Sequence, residues 1–113
     1  MEPRVKTHIW VAAYIRRTMA DGFSAVLATR GDADAGAVML KINRFEVGCQ
    51  VYTQVRDGNG HLAWMAGTGT VPVTESEADA YVERQRSYDI DSWVVEVEDP
   101  RNTYTLDGIV LED

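Results

Sequence analysis

An α+β fold is predicted by three observations. Two segments with helical spacing and recognisable ends, 7–21 and 74–88, bracket the middle of the chain. Between them lie four strand-length pieces of alternating residues separated by turn chemistry, and a further alternating run follows the second helix. The expected order is an N-terminal helix, a four-stranded antiparallel meander, a second helix and one or two closing strands, with the helices on one face of the sheet. At 113 residues the chain reads as a single domain. A domain of that size buries about 65% of the surface its unfolded form exposes.

Thr7 is placed to cap the first helix, and Gly22 supplies the left-handed residue that ends it near Asp21. Val11, Ile15 and Met19 recur at i, i+4 and i+8 and form the expected core stripe. Trp10 and Tyr14 fall to another side, next to Arg17, so the helix is apolar on two sides. Aromatic residues beside an arginine are enriched at binding hot spots, which makes Trp10, Tyr14 and Arg17 a candidate interface. Burial beneath the C-terminal segment is the structural alternative; exposure would favour a two-fold homodimer.

The four strands are expected at 24–30, 37–43, 49–56 and 61–66. Val38, Leu40 and Ile42 alternate with Met39, Lys41 and Asn43, and Val51, Thr53 and Val55 with Gln50, Tyr52, Gln54 and Arg56. The connectors 31–36 and 57–60 are rich in Gly, Asp and Asn, which tolerate turn conformations. Thr74-Glu75-Ser76-Glu77 then reads as a capping box opening the second helix. Beyond it Trp93, Val95 and Val97 alternate with Val94, Glu96 and Glu98, Pro100 and Asn102 mark a turn, and 104–111 returns as a last strand.

Net charge is −7 and unevenly spread: residues 1–56 hold 8 Lys/Arg against 5 Asp/Glu, and residues 57–113 hold 3 against 13. The acidic half repels phosphate, which disfavours nucleic acid as a partner. The single Cys49 allows no internal disulfide. No run approaches the roughly 20 apolar residues of a membrane span, and the N-terminus lacks a signal-peptide pattern. A cytoplasmic setting without membrane association is expected.

Arg84-Gln85, Asp89-x-Asp91-x-Trp93-x2-Glu96-x-Glu98 and the upstream Arg30-Gly31-Asp32-x-Asp34-x-Gly36 carry a resemblance over essentially the whole chain. By these residues the protein resembles the alphaproteobacterial family called domain of unknown function 1491. That resemblance implies a bacterial, cytoplasmic protein and brings no activity and no catalytic residues.

Candidate chemistry therefore rests on the residues themselves. On the second helix Ala78, Tyr81, Val82 and Tyr88 define an inner stripe, with Gln85 in its middle and Asp89 four residues on. Arg84, Gln85, Asp89 and Asp91 form a candidate pocket for a ligand or for a partner's basic side chain; a polar lock between helix and sheet is the structural reading. A hydrolase-like carboxylate site around Asp89 and Asp91 is the enzymatic alternative, but strand parity sends Glu96 and Glu98 to the opposite side from them. No metal and no cofactor are expected. Asp32-x-Asp34 and Asp57-x-Asn59 lack the later ligands of a calcium loop, and Gly67-Thr68-Gly69-Thr70 lacks a Walker lysine.

Cys49 shares the parity of Val51 and reads as a small core residue, with nothing in the sequence bringing His8 or His61 to it. Arg30, Lys41, Tyr52, Gln54, Arg56 and His61 would share an outer sheet face able to hold single-stranded RNA. The leading functional reading is a noncatalytic binding or protein-interaction module, pairing with itself or with another bacterial protein.

Overall fold

The last long strand does not close the sheet at its edge but enters its centre. In the computed structural model, which describes residues 5–111, α1 (Thr7–Ala20) is followed by β1 (Ser24–Thr29), β2 (Val38–Asn43), a 3-10 turn (Phe45–Val47), β3 (Cys49–Arg56) and β4 (Leu62–Ala66). Then come α2 (Glu75–Tyr88), β5 (Trp93–Glu98) and β6 (Ile109–Leu111). The sheet order is β1-β5-β2-β3-β4-β6. β5 runs antiparallel to β1 and parallel to β2, and β6 runs parallel to β4. The α+β class and the element order are as predicted, and β2, β3 and β4 form a meander. β1, the expected first strand of that meander, is held away from β2 by the inserted β5.

The helices occupy opposite faces, which corrects the expectation of one shared face. Val38, Leu40 and Ile42 of β2 pack with Val95 and Val97 of β5 under Val11 and Tyr14 of α1. Met39, Val51 and Val94 pack with Cys49 and Ala78 beneath α2. The alternation within each strand is as read, but the register pairs Leu40 with Tyr52 and Lys41 with Val51. Val51 therefore lies on the side of Met39, opposite Leu40, and both faces of the central strands acquire a helix. Parity within one strand carries no information about its register with the next.

The helix ends follow local chemistry with one exception. The Thr74 hydroxyl accepts the Glu77 N–H at 3.1 Å, and Gly22 at φ +95° terminates α1. Thr7 does not cap α1. The cap position is Lys6 without a side-chain bond, and the first N–H groups, of Thr7 and His8, go to the carbonyls of Asp34 and Ala33 at 3.3 and 3.0 Å. A loop supplied by the fold replaces the side-chain cap. The buried stripe of α1 is Val11, Tyr14 and Thr18, with Met19 exposed. On α2, Ala78 is buried while Tyr88 stands in solvent, because the helix runs past the apolar surface beneath it.

The connection 31–36 fits β5 into place. At Gly31 and at Gly36 a methyl group would collide with the Asp91 carbonyl and the Trp93 indole. Gly36→Ala is expected to lower stability by about 1–3 kcal/mol through this overpacking. Gly58→Ala, where a methyl group meets nothing within 4 Å, should stay within about 0.5 kcal/mol of wild type. Urea unfolding of the two variants side by side measures the difference.

Candidate functional site

The residues singled out at the end of α2 build the corner at which the helix passes into β5. Asp89 closes α2, donating its N–H to the Gln85 carbonyl at 3.0 Å, and its carboxylate accepts the Asp91 N–H at 3.1 Å. The Asp91 carbonyl accepts the Asp32 N–H at 2.9 Å, and Trp93 Nε1 donates to the Asp32 carbonyl at 2.7 Å. The Asp32 carboxylate in turn accepts the N–H groups of Asp34 and Ala35. Arg84 lies over the Tyr81 ring at 5.9 Å, and no ion pair among the described residues joins it to Asp89 or Asp91. Gln85 is half-buried. The side chain that ties helix to strand is Arg86, which donates to the carbonyls of Ser92 and Ile90 at 3.2 and 2.8 Å. Among the described residues no three His, Cys, Asp or Glu side chains converge to hold a metal ion.

The aromatic side of α1 is turned inward. Trp10 stacks on Tyr14 with ring centroids 4.9 Å apart, and both lean on Trp64 at 6.1 Å. Arg17 covers the Tyr14 ring at 5.4 Å and pairs with Asp107 at 2.6 Å. The Tyr14 hydroxyl meets that of Tyr104, and burial followed by this bond pushes its pKa far above the ordinary phenol value. Trp10, Tyr14 and Arg17 thus lie against β4 and the C-terminal segment, with Tyr14 buried, Trp10 half-buried and Arg17 exposed.

The sheet face considered for single-stranded RNA is likewise divided. Tyr52 is buried on the α1 side, and Lys41 faces α2. Lys41 is the most unexpected residue of the molecule, an ammonium only 4% exposed in the middle of the sheet. Its Nζ lies 2.7 Å from Asp79, 2.8 Å from Glu75 and 3.1 Å from Glu96. Burial by itself would lower its pKa, but the three carboxylates outweigh burial and hold the group protonated. Cys49 is buried nearby, its thiol pushed up by burial and donating weakly to Asn43 Oδ1 at 3.5 Å. His8 bonds the Ala33 carbonyl and His61 pairs with Asp57, so neither serves Cys49 as a base.

Residues 5–107 match the family described as "Protein of unknown function (DUF1491)". The chain belongs to the DUF1491 family. A 1.87 Å crystal structure of a DUF1491 family protein from Caulobacter crescentus CB15 is 38% identical over 96% of this chain and 100% of that one, with a TM-score of 0.82. An NMR structure of a DUF1491 family protein from the same organism is 39% identical over 97% and 99% of the two chains, with a TM-score of 0.78. The solution structure of a protein from A. tumefaciens is 26% identical over 92% and 90%, with a TM-score of 0.73. These alphaproteobacterial sources agree with the group indicated by the sequence motifs. No curated protein matches the chain.

In this DUF1491 chain the residues that carry the resemblance do structural work: the Gly31–Gly36 loop and the Asp89–Trp93 corner interlock. Two polar centres escaped sequence reasoning. One is Lys41; a lysine between Leu40 and Ile42, with acids four apart on α2, was the available signal. The other is Asp99, fully buried and paired with Arg44. Burial would raise the Asp99 carboxyl, but the N–H groups of Thr103 and Tyr104, each at 3.0 Å, together with Arg44 hold it below the usual carboxylate value. Arg44 also donates to Gln50 Oε1 at 2.9 Å. Nothing in the local sequence distinguishes Asp99 from its acidic neighbours.

Asp99→Asn leaves Arg44 buried without a counter-charge and is expected to cost about 2–4 kcal/mol at neutral pH. A depressed pKa stabilises the fold above the unfolded-state value of about 3.9 and ceases to do so as pH falls through the lower folded value. The gap between wild type and variant, measured by urea unfolding across a pH series, should therefore close in acid. Lys41→Met leaves three carboxylates facing one another, two of them able to rehydrate, and is expected to cost about 1–3 kcal/mol in the same assay. The raised Lys41 pKa has the opposite sign. Its contribution is complete below the unfolded value of about 10.4 and is lost only in stronger alkali, as pH rises through the folded value.

Proposed function

We propose that this DUF1491 protein is a noncatalytic binding module for other proteins, and that its contact element is β1. The observation that carries this reading is the bare edge. Among the described residues β1 ends the sheet with no strand paired to its outer side, and its sequence Ser-Ala-Val-Leu-Ala-Thr contains neither charge nor proline. Val26 and Leu27 are 52% and 41% exposed on its two faces. Edges of monomeric sheets are usually blunted by charges, prolines or coverage; an apolar one is suited to strand addition. A bulge at Ala28 ends the regular ladder and leaves Ser24–Leu27 for pairing. At the other edge β6 has three residues.

Two occupants suit such an edge, a second copy of the chain or an extended segment of another protein. The aromatic column of α1 and the Asp89–Asp91 corner are engaged internally, which moves the proposed surface from those residues to β1. Amide hydrogen exchange of isotope-labelled protein in bacterial lysate tests the reading. Amides of Ser24–Leu27 are expected to exchange more slowly than in buffer, and Leu27→Lys should abolish the difference. Unchanged exchange in lysate, together with monomeric light scattering over a wide concentration range, would refute it.

A further inference from the structure

The surroundings of β1 indicate the kind of strand it accepts. A cleft of about 430 Å³ lies at its Ser24 end, lined by Asp21, Phe23, Phe45, Glu98 and Arg101 among others. A second cleft of about 320 Å³ lies at its Ala28 end, between the sheet and α2, with Asp79, Glu83 and Glu96 in its walls. α2 packs over β2 and β3, so the sheet beside β1 is left open there. Carboxylates outnumber cations in the second cleft, where Lys41 is already shared by Asp79 and Glu96 and Arg86 is bound to the carbonyls of Ser92 and Ile90. Among the described residues neither Glu83 nor Glu98 has an ion-pair partner. Glu98 is nonetheless half-buried.

We infer that the β1 edge accepts an extended peptide segment carrying two basic residues four positions apart, one reaching each acidic cleft. This inference rests on the reading of β1 as the contact element. Four residues of a regular added strand span about 13 Å and return to the same face, so a strand paired along Ser24–Leu27 brings its fifth residue beside the Ala28 bulge. An arginine or lysine on an added strand is long enough to pass over the small side chains of Ser24 and Ala28 toward Glu98 and Glu83. Phe23 and Phe45 also line the first cleft, and aromatic rings attract such a cation. A second copy fits less well. In a two-fold antiparallel pair the Ser24 end of one β1 lies against the Ala28 end of its mate, and each acidic cleft would face the other.

The test uses intact protein and short synthetic peptides of alternating valine and threonine with lysine at positions one and five. Fluorescence anisotropy at low salt should show binding that weakens as salt rises, and NMR shifts should centre on Ser24–Leu27. Replacing both lysines by glutamate, or N-methylating the backbone on the pairing edge, should abolish it. Glu83→Gln and Glu98→Gln should each weaken it about two- to fivefold, while an unchanged circular dichroism spectrum shows that the fold survives. Absence of binding by the lysine peptide, binding that maps away from β1, or equal binding by the glutamate peptide would overturn the inference. If an uncharged strand or a second copy protects the β1 amides instead, the charge argument fails and the interaction module stands. If nothing protects them, both fail.

Discussion

The contact on which this fold depends is the approach of the Asp91 carbonyl to Gly31 and Gly36. It sets the point at which β5 enters the sheet, because Asp91 bonds Asp32, Trp93 bonds the Asp32 and Ala37 carbonyls, and β5 begins there. The same loop receives the first turn of α1 through the Ala33 and Asp34 carbonyls. One six-residue connection thereby orients α1, the end of α2 and the central strand. A side chain at either glycine would push β5 away from β2, and the two layers on either side of the sheet would lose their common floor.

β5 between β1 and β2 also explains where the polar residues lie. The central strands are covered on both faces, so any charge they carry must be paired within the protein. Lys41 sits among carboxylates from α2 and β5, joining the second helix to the sheet, and Asp99 at the end of β5 gathers Arg44 and the start of the C-terminal segment. The first of these couples residues from three elements that are distant in sequence. Buried charges of this kind contribute less net stability than apolar packing would, but they penalise every alternative register that leaves one of them alone.

Covering the central strands leaves β1 at the margin. α1 crosses one of its faces, α2 packs mainly over β2 and β3, and among the described residues no strand lies beyond it. The result is an apolar strand edge with a cleft at each end. In this chain the Gly31–Gly36 loop and the Asp89–Trp93 corner hold β5 in place, and that placement exposes β1.

Local chemistry in the sequence determined the elements: Thr74 and Gly22 mark helix ends, alternation marks the strands, and the parity of Cys49 marks a buried thiol. These signals act over a few residues and need no partner. Only the tertiary structure decided which strands are neighbours, that the helices take opposite faces, and that Trp10 and Tyr14 turn inward beneath an exposed Arg17 while Thr7 cedes its cap to a loop. The candidate site was legible in part. Asp89 and Asp91 stood out by composition, but their role as a corner depends on Gly31 and Gly36, some sixty residues earlier. Register, layer and charge pairing arise from contacts between distant segments, and the spacing of residues along one segment does not encode them.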